Sequence, residues 1–201
     1  FFIGFIATFI ATTLGTLAAL GLSRPHMPYK GLIMAILISP MIVPLIITAA
    51  GMFFFYARIN LVYSFTGIIL AHVALATPFV VITVTATLVG FDMNMVKAAQ
   101  SLGARPVRTF FKVIMPLILP GVISGALFAF ITSFDEVVIV MFMGSLDQLT
   151  IPKQMWAGIR QEISPVILCM ATCLVILSIL LLTTVELLRR RSEKLRGIKS
   201  R

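Results

Sequence analysis

Acidic residues are scarce in this sequence: seven Asp and Glu stand against sixteen Lys and Arg in 201 residues. Charge of either sign is scarce too, at 11% of residues, while hydrophobic residues make up 60%. Soluble globular domains carry about a quarter charged residues. That class is therefore excluded, and the chain falls in the membrane class. A phosphate-cradling loop is also missing, since neither Gly-x-x-x-x-Gly-Lys-Ser/Thr nor any Gly-Lys pair occurs. Any chemical energy this chain uses must come from another subunit. There are only two histidines, His26 and His72, and they lie on separate elements, which leaves no nucleophile and base for acyl transfer. The only two cysteines, Cys169 and Cys173, lie in an apolar stretch without further soft ligands nearby. They read as small buried hydrophobes, not as metal ligands.

What the chain has in abundance is long apolar runs. A membrane span needs about 20 mainly apolar residues, and five stretches qualify: 1–22, 31–57, 61–89, 117–143 and 163–188. If spans alternate, thirteen of the sixteen basic residues share one side of the membrane, leaving only Arg58, Lys153 and Arg160 on the other. Retained basic residues mark the cytoplasmic side. The net charge of +9 is thus a signal of topology and no argument for nucleic acid. The Arg-rich tail, 189–201, follows a span directly and reads as a cytoplasmic anchor to anionic lipid. The expectation is one transmembrane domain over 1–201, all-α and polytopic, with a cytoplasmic loop at 90–116 and an extracytoplasmic loop at 144–162. Phe1 already lies inside an apolar run, so a sixth span is expected ahead of it.

One long polar, basic interruption breaks this pattern, from Val96 to Pro116. Ala98 and Ala99 permit close approach of a neighbour, and Gly103 permits a backbone turn that a Cβ would resist. Pro106 suits the first turn of a second helix. There Val107, Phe110, Phe111 and Ile114 form an apolar stripe, with Arg105, Arg108 and Lys112 outside it. Two short helices joined by a glycine bend are predicted. The stretch resembles the cytoplasmic loop of permease subunits in ATP-binding-cassette (ABC) importers, which reads Glu-Ala-Ala, three residues, Gly, nine residues, Ile-x-Leu-Pro. Ala98, Ala99, Gly103 and Pro116 fall on the family positions, while Lys97 stands where the family has Glu. The resemblance implies a type I ABC importer permease fold, with Lys97, Ala98, Ala99, Gly103, Arg105 and Pro116 coupling to an ATPase. It also implies a second permease, two ATPase subunits that hold ATP and Mg, and an extracytoplasmic solute-binding protein in the bacterial inner membrane.

Within the spans, Pro40 and Pro44 should bend the second one. His72 lies in the third span and reads as a neutral imidazole bonded to a neighbouring carbonyl, with a place on a solute path as the functional alternative. The fourth span contains Thr132-Ser133-Phe134-Asp135-Glu136. Two carboxylates inside a span cost roughly 2.5 to 3.5 kcal/mol each on insertion scales. On a continuous helix the two would point about 100° apart, so at least one should face an aqueous cavity or a partner. Asp135, Glu136, Thr132, Ser133 and His72 are the candidate solute path. The alternative is that the acids are structural and hydrogen-bonded. The run 129–138 also resembles the fifth span of permeases for spermidine, putrescine and opine-like compounds. This implies a small, cationic solute, with an opine or amino-acid derivative as the alternative. A secondary transporter would need matching broken spans in two halves, which the prolines do not supply. Outside, residues 152–161 should form a short helix with Met155, Trp156 and Ile159 along one side. The family resemblance makes Trp156 and Arg160 the candidate docking points for the binding protein.

Overall fold

The structure is a computed structural model. It describes residues 1–24, 27–89, 94–161 and 165–195, and the side chains of all of these except 161, 182, 185–186 and 188–195. His26, Gly90-Phe91-Asp92 and Ile163 lie outside the described residues, as does the tail beyond Leu195. Ten α-helices and one π turn are described. They run α1 Phe2–Leu22, α2 Lys30–Ile42, α3 Leu45–Arg58, α4 Phe65–Val89, α5 Asn94–Ser101 and α6 Pro106–Thr109. The π turn Phe110–Ile114 follows, then α7 Met115–Phe134, α8 Val138–Met143, α9 Ile151–Gln161 and α10 Pro165–Leu195.

Among the described residues, three segments are long and apolar enough to cross a membrane: Phe2–Leu22, Phe65–Val89 and Pro106–Phe134. The expected second span is a bent pair, α2 and α3, meeting at 105°. Of the two prolines there, Pro40 is carried inside α2, and the break falls at Pro44. Val43, the residue before it, is extended at φ −71°, ψ 135°, as the clash with the following proline ring demands. The expected fifth span corresponds to α10, whose apolar part is Pro165–Leu181.

α4 is the centre of the molecule. It is apolar all round, and two cores form on it. On one side Ala7, Ala11 and Ala19 of α1 and Ile118 and Ala129 of α7 meet Val73, Ala76, Val80 and Val84. On the other, Ala49 of α3 and Ile139, Val140 and Met143 of α8 meet Ile68, Ala71 and Leu75. Small residues set the spacing, because lipid offers no hydrophobic drive between helices and close packing must hold them together. Val80 lies between two glycines. A Cβ on Gly15 of α1 would stand 2.7 Å from the Val80 Cβ, and one on Gly125 of α7 would stand 2.9 Å from its Cα.

The expected fourth span, 117–143, is corrected. Its helix stops at Phe134, and a separate short helix, α8, begins at Val138. α8 turns aside to wedge between α3 and α4. The cysteines are corrected as well: Cys169 and Cys173 are free and exposed on α10, most of whose described surface is outward in this chain.

Candidate functional site

Two places carry chemistry, one at each end of α7. At the first end, α5 closes on the backbone of Gly103. The Gly103 N–H donates to the Gln100 carbonyl (2.9 Å) and the Ala104 N–H to the Ala99 carbonyl (3.0 Å), with Gly103 at φ +79°. This crossed pair is the Schellman termination, and its positive φ is what glycine supplies. Arg105 is then extended, and Pro106 opens α6 at its first position, as the sequence predicts.

The apolar stripe predicted for the second helix does not form as one face. Phe110–Ile114 is a π turn, and the Met115 N–H reaches back to the Phe110 carbonyl. Pro116 follows it. A proline there has no N–H to bond the carbonyl four residues back, so the α-helical register cannot simply continue through it. The wider turn rotates the stripe, leaving Phe110 and Ile114 half-buried while Val107 and Phe111 stay exposed. Leu102, at 89% exposed, completes an outward apolar group. Lys97, Ala98, Arg105, Arg108, Lys112 and Pro116 are also exposed, and Ala99 is half-buried. The elbow therefore offers apolar side chains rimmed by cations, and among the described residues Leu102, Val107 and Phe111 stay uncovered.

At the other end the two acids separate. The Asp135 N–H still donates to Ile131 (3.0 Å), which makes Asp135 the closing residue of α7. Its side chain is exposed and lines a cavity of about 270 Å³ between α7 and α10, together with Phe130, Phe134, Leu174, Leu177 and Ser178. A carboxylate at a helix C-terminus sits at the negative end of the helix dipole. Among the described residues no basic side chain lines that cavity. Glu136 turns the other way and is buried. Its Oε1 accepts the Ile139 N–H at 2.9 Å, and its carboxylate lies against the Val137 and Val138 N–H groups as well. It satisfies the first turn of α8, whose N–H groups have no partners within the helix. The two carboxylates thus do not share a continuous helix, and only Asp135 reaches the cavity.

His72 and Ser133 meet across the core, 61 residues apart in sequence, with Nδ1 2.7 Å from Oγ. The partner of His72 is this hydroxyl and not the backbone carbonyl expected from the sequence. Both side chains are buried, so neither lines the cavity. Thr132 is half-buried beside them in α7.

The loop after α8 holds contacts that the sequence reading missed. Lys153 Nζ donates to the carbonyls of Ser145 (3.2 Å), Gln148 (3.4 Å) and Gly144 (3.5 Å). Gln148 accepts the Ser145 N–H through Oε1 (3.0 Å) and donates through Nε2 to the Tyr63 carbonyl (3.2 Å). The Tyr63 N–H in turn donates to Met143 (2.9 Å), tying this loop to the turn before α4. A lone cation close behind a short helix is the available signal, because lysine caps free carbonyls. α9 forms as predicted, and Arg160 lies 5.9 Å over the Trp156 ring. Trp156 and Ile159 are exposed, and Met155 is half-buried.

A bundle of apolar helices centred on one helix, with a basic elbow between two spans, defines a polytopic membrane protein. The solved inward-facing structure of the MetNI methionine ABC transporter is similar in fold, with a TM-score of 0.72 at 19% identity over 94% of this chain and 91% of that one. The chain belongs to the family of binding-protein-dependent transport system inner membrane components, which matches residues 11–194. It is a multi-pass membrane permease component. The chain is 32% identical to the spermidine/putrescine transport system permease protein PotC of Haemophilus influenzae, over 95% of its own length and 74% of that protein. PotC of Escherichia coli K12 is 31% identical, over 94% and 72%. The putrescine transport system permease protein PotI of the same organism is 30% identical, over 81% and 60%.

Proposed function

We propose that this chain forms half of the transmembrane path of an ATP-driven importer for a small cationic, polyamine-like solute. A second permease supplies the other half. An extracytoplasmic binding protein delivers the solute near Trp156 and Arg160, and two ATPase subunits hold ATP and Mg. The elbow around Ala98, Ala99 and Gly103 docks on one ATPase, with Lys97 and Arg105 at its rim and Pro116 closing it. The C-terminal tail lies on the same, cytoplasmic side of the inner membrane, against lipid headgroups. Closure of the ATPases shifts the elbow and favours one facing of the cavity, and hydrolysis restores the other. Thr132 and Asp135 line the path. The similarity to spermidine and putrescine permeases supports the polyamine reading, and Asp135 adds a physical reason: a carboxylate at a helix C-terminus favours a cation.

The observation that carries the proposal is the exposed elbow, closed by a positive-φ glycine at residue 103. Among the described residues beyond its chain neighbours, no heavy atom lies within 4 Å of a Cβ placed there, so within this chain a substitution acts through backbone strain. Such strain costs about 1–2 kcal/mol for an L-residue. Gly103→Val should abolish ATP-driven uptake in proteoliposomes while membrane insertion stays normal. Normal uptake would count against docking through the elbow.

A further inference from the structure

We propose that His72, Ser133 and Glu136 are positioning residues, two hydrogen-bonded anchors on either side of the α7–α8 break that fix where the Asp135 carboxylate points. The proposal rests on the reading of Asp135 as the solute-facing acid. A carboxylate at the junction of two helices has regular backbone on one side only, so it would swing with any flexing of the junction. Here the flanking residues are held by different elements. Ser133, two positions before, is buried and sits 2.7 Å from His72 Nδ1 on α4. Glu136, one position after, is buried with its Oε1 on the Ile139 N–H of α8 at 2.9 Å. α8 is itself wedged into the second core by Ile139, Val140 and Met143.

The chemistry of His72 argues against a simple packing role. The side chain is 1% exposed, and its Nε2 has no hydrogen-bond partner among the described residues. Burying an unbonded polar atom is unfavourable, and an apolar residue would fill the same space without that penalty. What the imidazole contributes in return is the bond to Ser133. Glu136 likewise gives its carboxylate to backbone N–H groups, and the cavity is left to Asp135.

The test is spermidine uptake by the complete transporter, with its binding protein and ATPases, in proteoliposomes loaded with equal amounts of inserted complex. KM and maximal rate are read separately. Ser133→Ala and Glu136→Ala should each raise KM about five- to tenfold, the scale of one lost hydrogen bond, with the maximal rate little changed. Glu136→Gln keeps the Oε1 acceptor and loses the charge, so its KM should stay within about twofold of the parent. His72→Asn keeps a polar amide atom near the Nδ1 position to meet Ser133, so its KM should stay closer to the parent than that of Ser133→Ala. Asp135→Asn should lose the most. A KM for Glu136→Gln as poor as that of Asp135→Asn would put the glutamate charge on the solute and overturn the proposal. So would unchanged KM in both alanine variants while Asp135→Asn is impaired. An unchanged KM in Asp135→Asn overturns the solute-path reading, and this proposal with it.

Discussion

The two ends of α7 are built on opposite rules. At the elbow most of the polar and apolar groups are exposed, and a backbone turn at Gly103 is closed by two local hydrogen bonds. At the Asp135 end two side-chain bonds reach distant elements, His72 to Ser133 and Gln148 to Tyr63, while Glu136 holds the start of α8 locally through the Ile139 N–H. Local bonds keep the shape of the elbow and leave most of its described side chains exposed. Long-range bonds hold the residues that flank the cavity-facing Asp135 and the loop after α8. One helix therefore joins a part shaped by local backbone bonds to a part shaped by bonds between distant elements.

The strongest way to break this contrast is to separate α7 from α4, on which both ends depend. Gly125→Leu places carbon within 2.9 Å of the Val80 backbone, where no rotamer relieves it. Overpacking of this kind costs about 1–3 kcal/mol or more, and the purified transporter should lose most of its thermal stability. An unshifted unfolding temperature would mean that the α4–α7 spacing is not fixed by this contact.

Next in size is an asymmetric pair at the elbow. Phe111→Asp adds a charge to an exposed apolar site, so unfolding of the permease alone in detergent should stay within about 0.5 kcal/mol of the parent. Its affinity for the ATPase should fall about tenfold or more, read by co-purification or titration. Equal affinity would remove Phe111 from the docking surface.

A smaller loss is expected from Lys153→Met, which deletes three donations to the 144–148 turn. The bonds are long and the group is half-buried, so about 1 kcal/mol is expected. Faster hydrogen exchange at the Ser145 and Tyr63 amides would report the loosened loop. Unaltered exchange would show the turn to be stable without the lysine.

The smallest effect belongs to Lys97→Glu, which installs the residue common in the resembled family. Lys97 is exposed and keeps no buried contact, so uptake should remain within about twofold. A large change in either direction would make the charge at this position part of the docking itself.

What could be read from the sequence divides along the same line as the two ends of α7. Gly103, Pro106 and the break at Pro44 were legible because each acts through its own φ or its missing N–H, which no distant residue alters. The apolar stripe of the second elbow helix was misread because Pro116, downstream, is accommodated by a π turn that shifts the face. The break after Phe134 carries neither Gly nor Pro. Its one local sign is an Asp-Glu pair just before the apolar run Val137–Val138–Ile139, a helix-start pattern that reads equally as acids within a longer span.

The sequence by itself determined a membrane-embedded helical chain and the turn at the elbow, because apolar length and backbone stereochemistry are local quantities. Only the tertiary structure decided which acid meets the cavity and which side chain answers His72. Those outcomes depend on α4 bringing together residues 61 positions apart, and in a dry interior each polar group takes whichever partner packing leaves within hydrogen-bond reach.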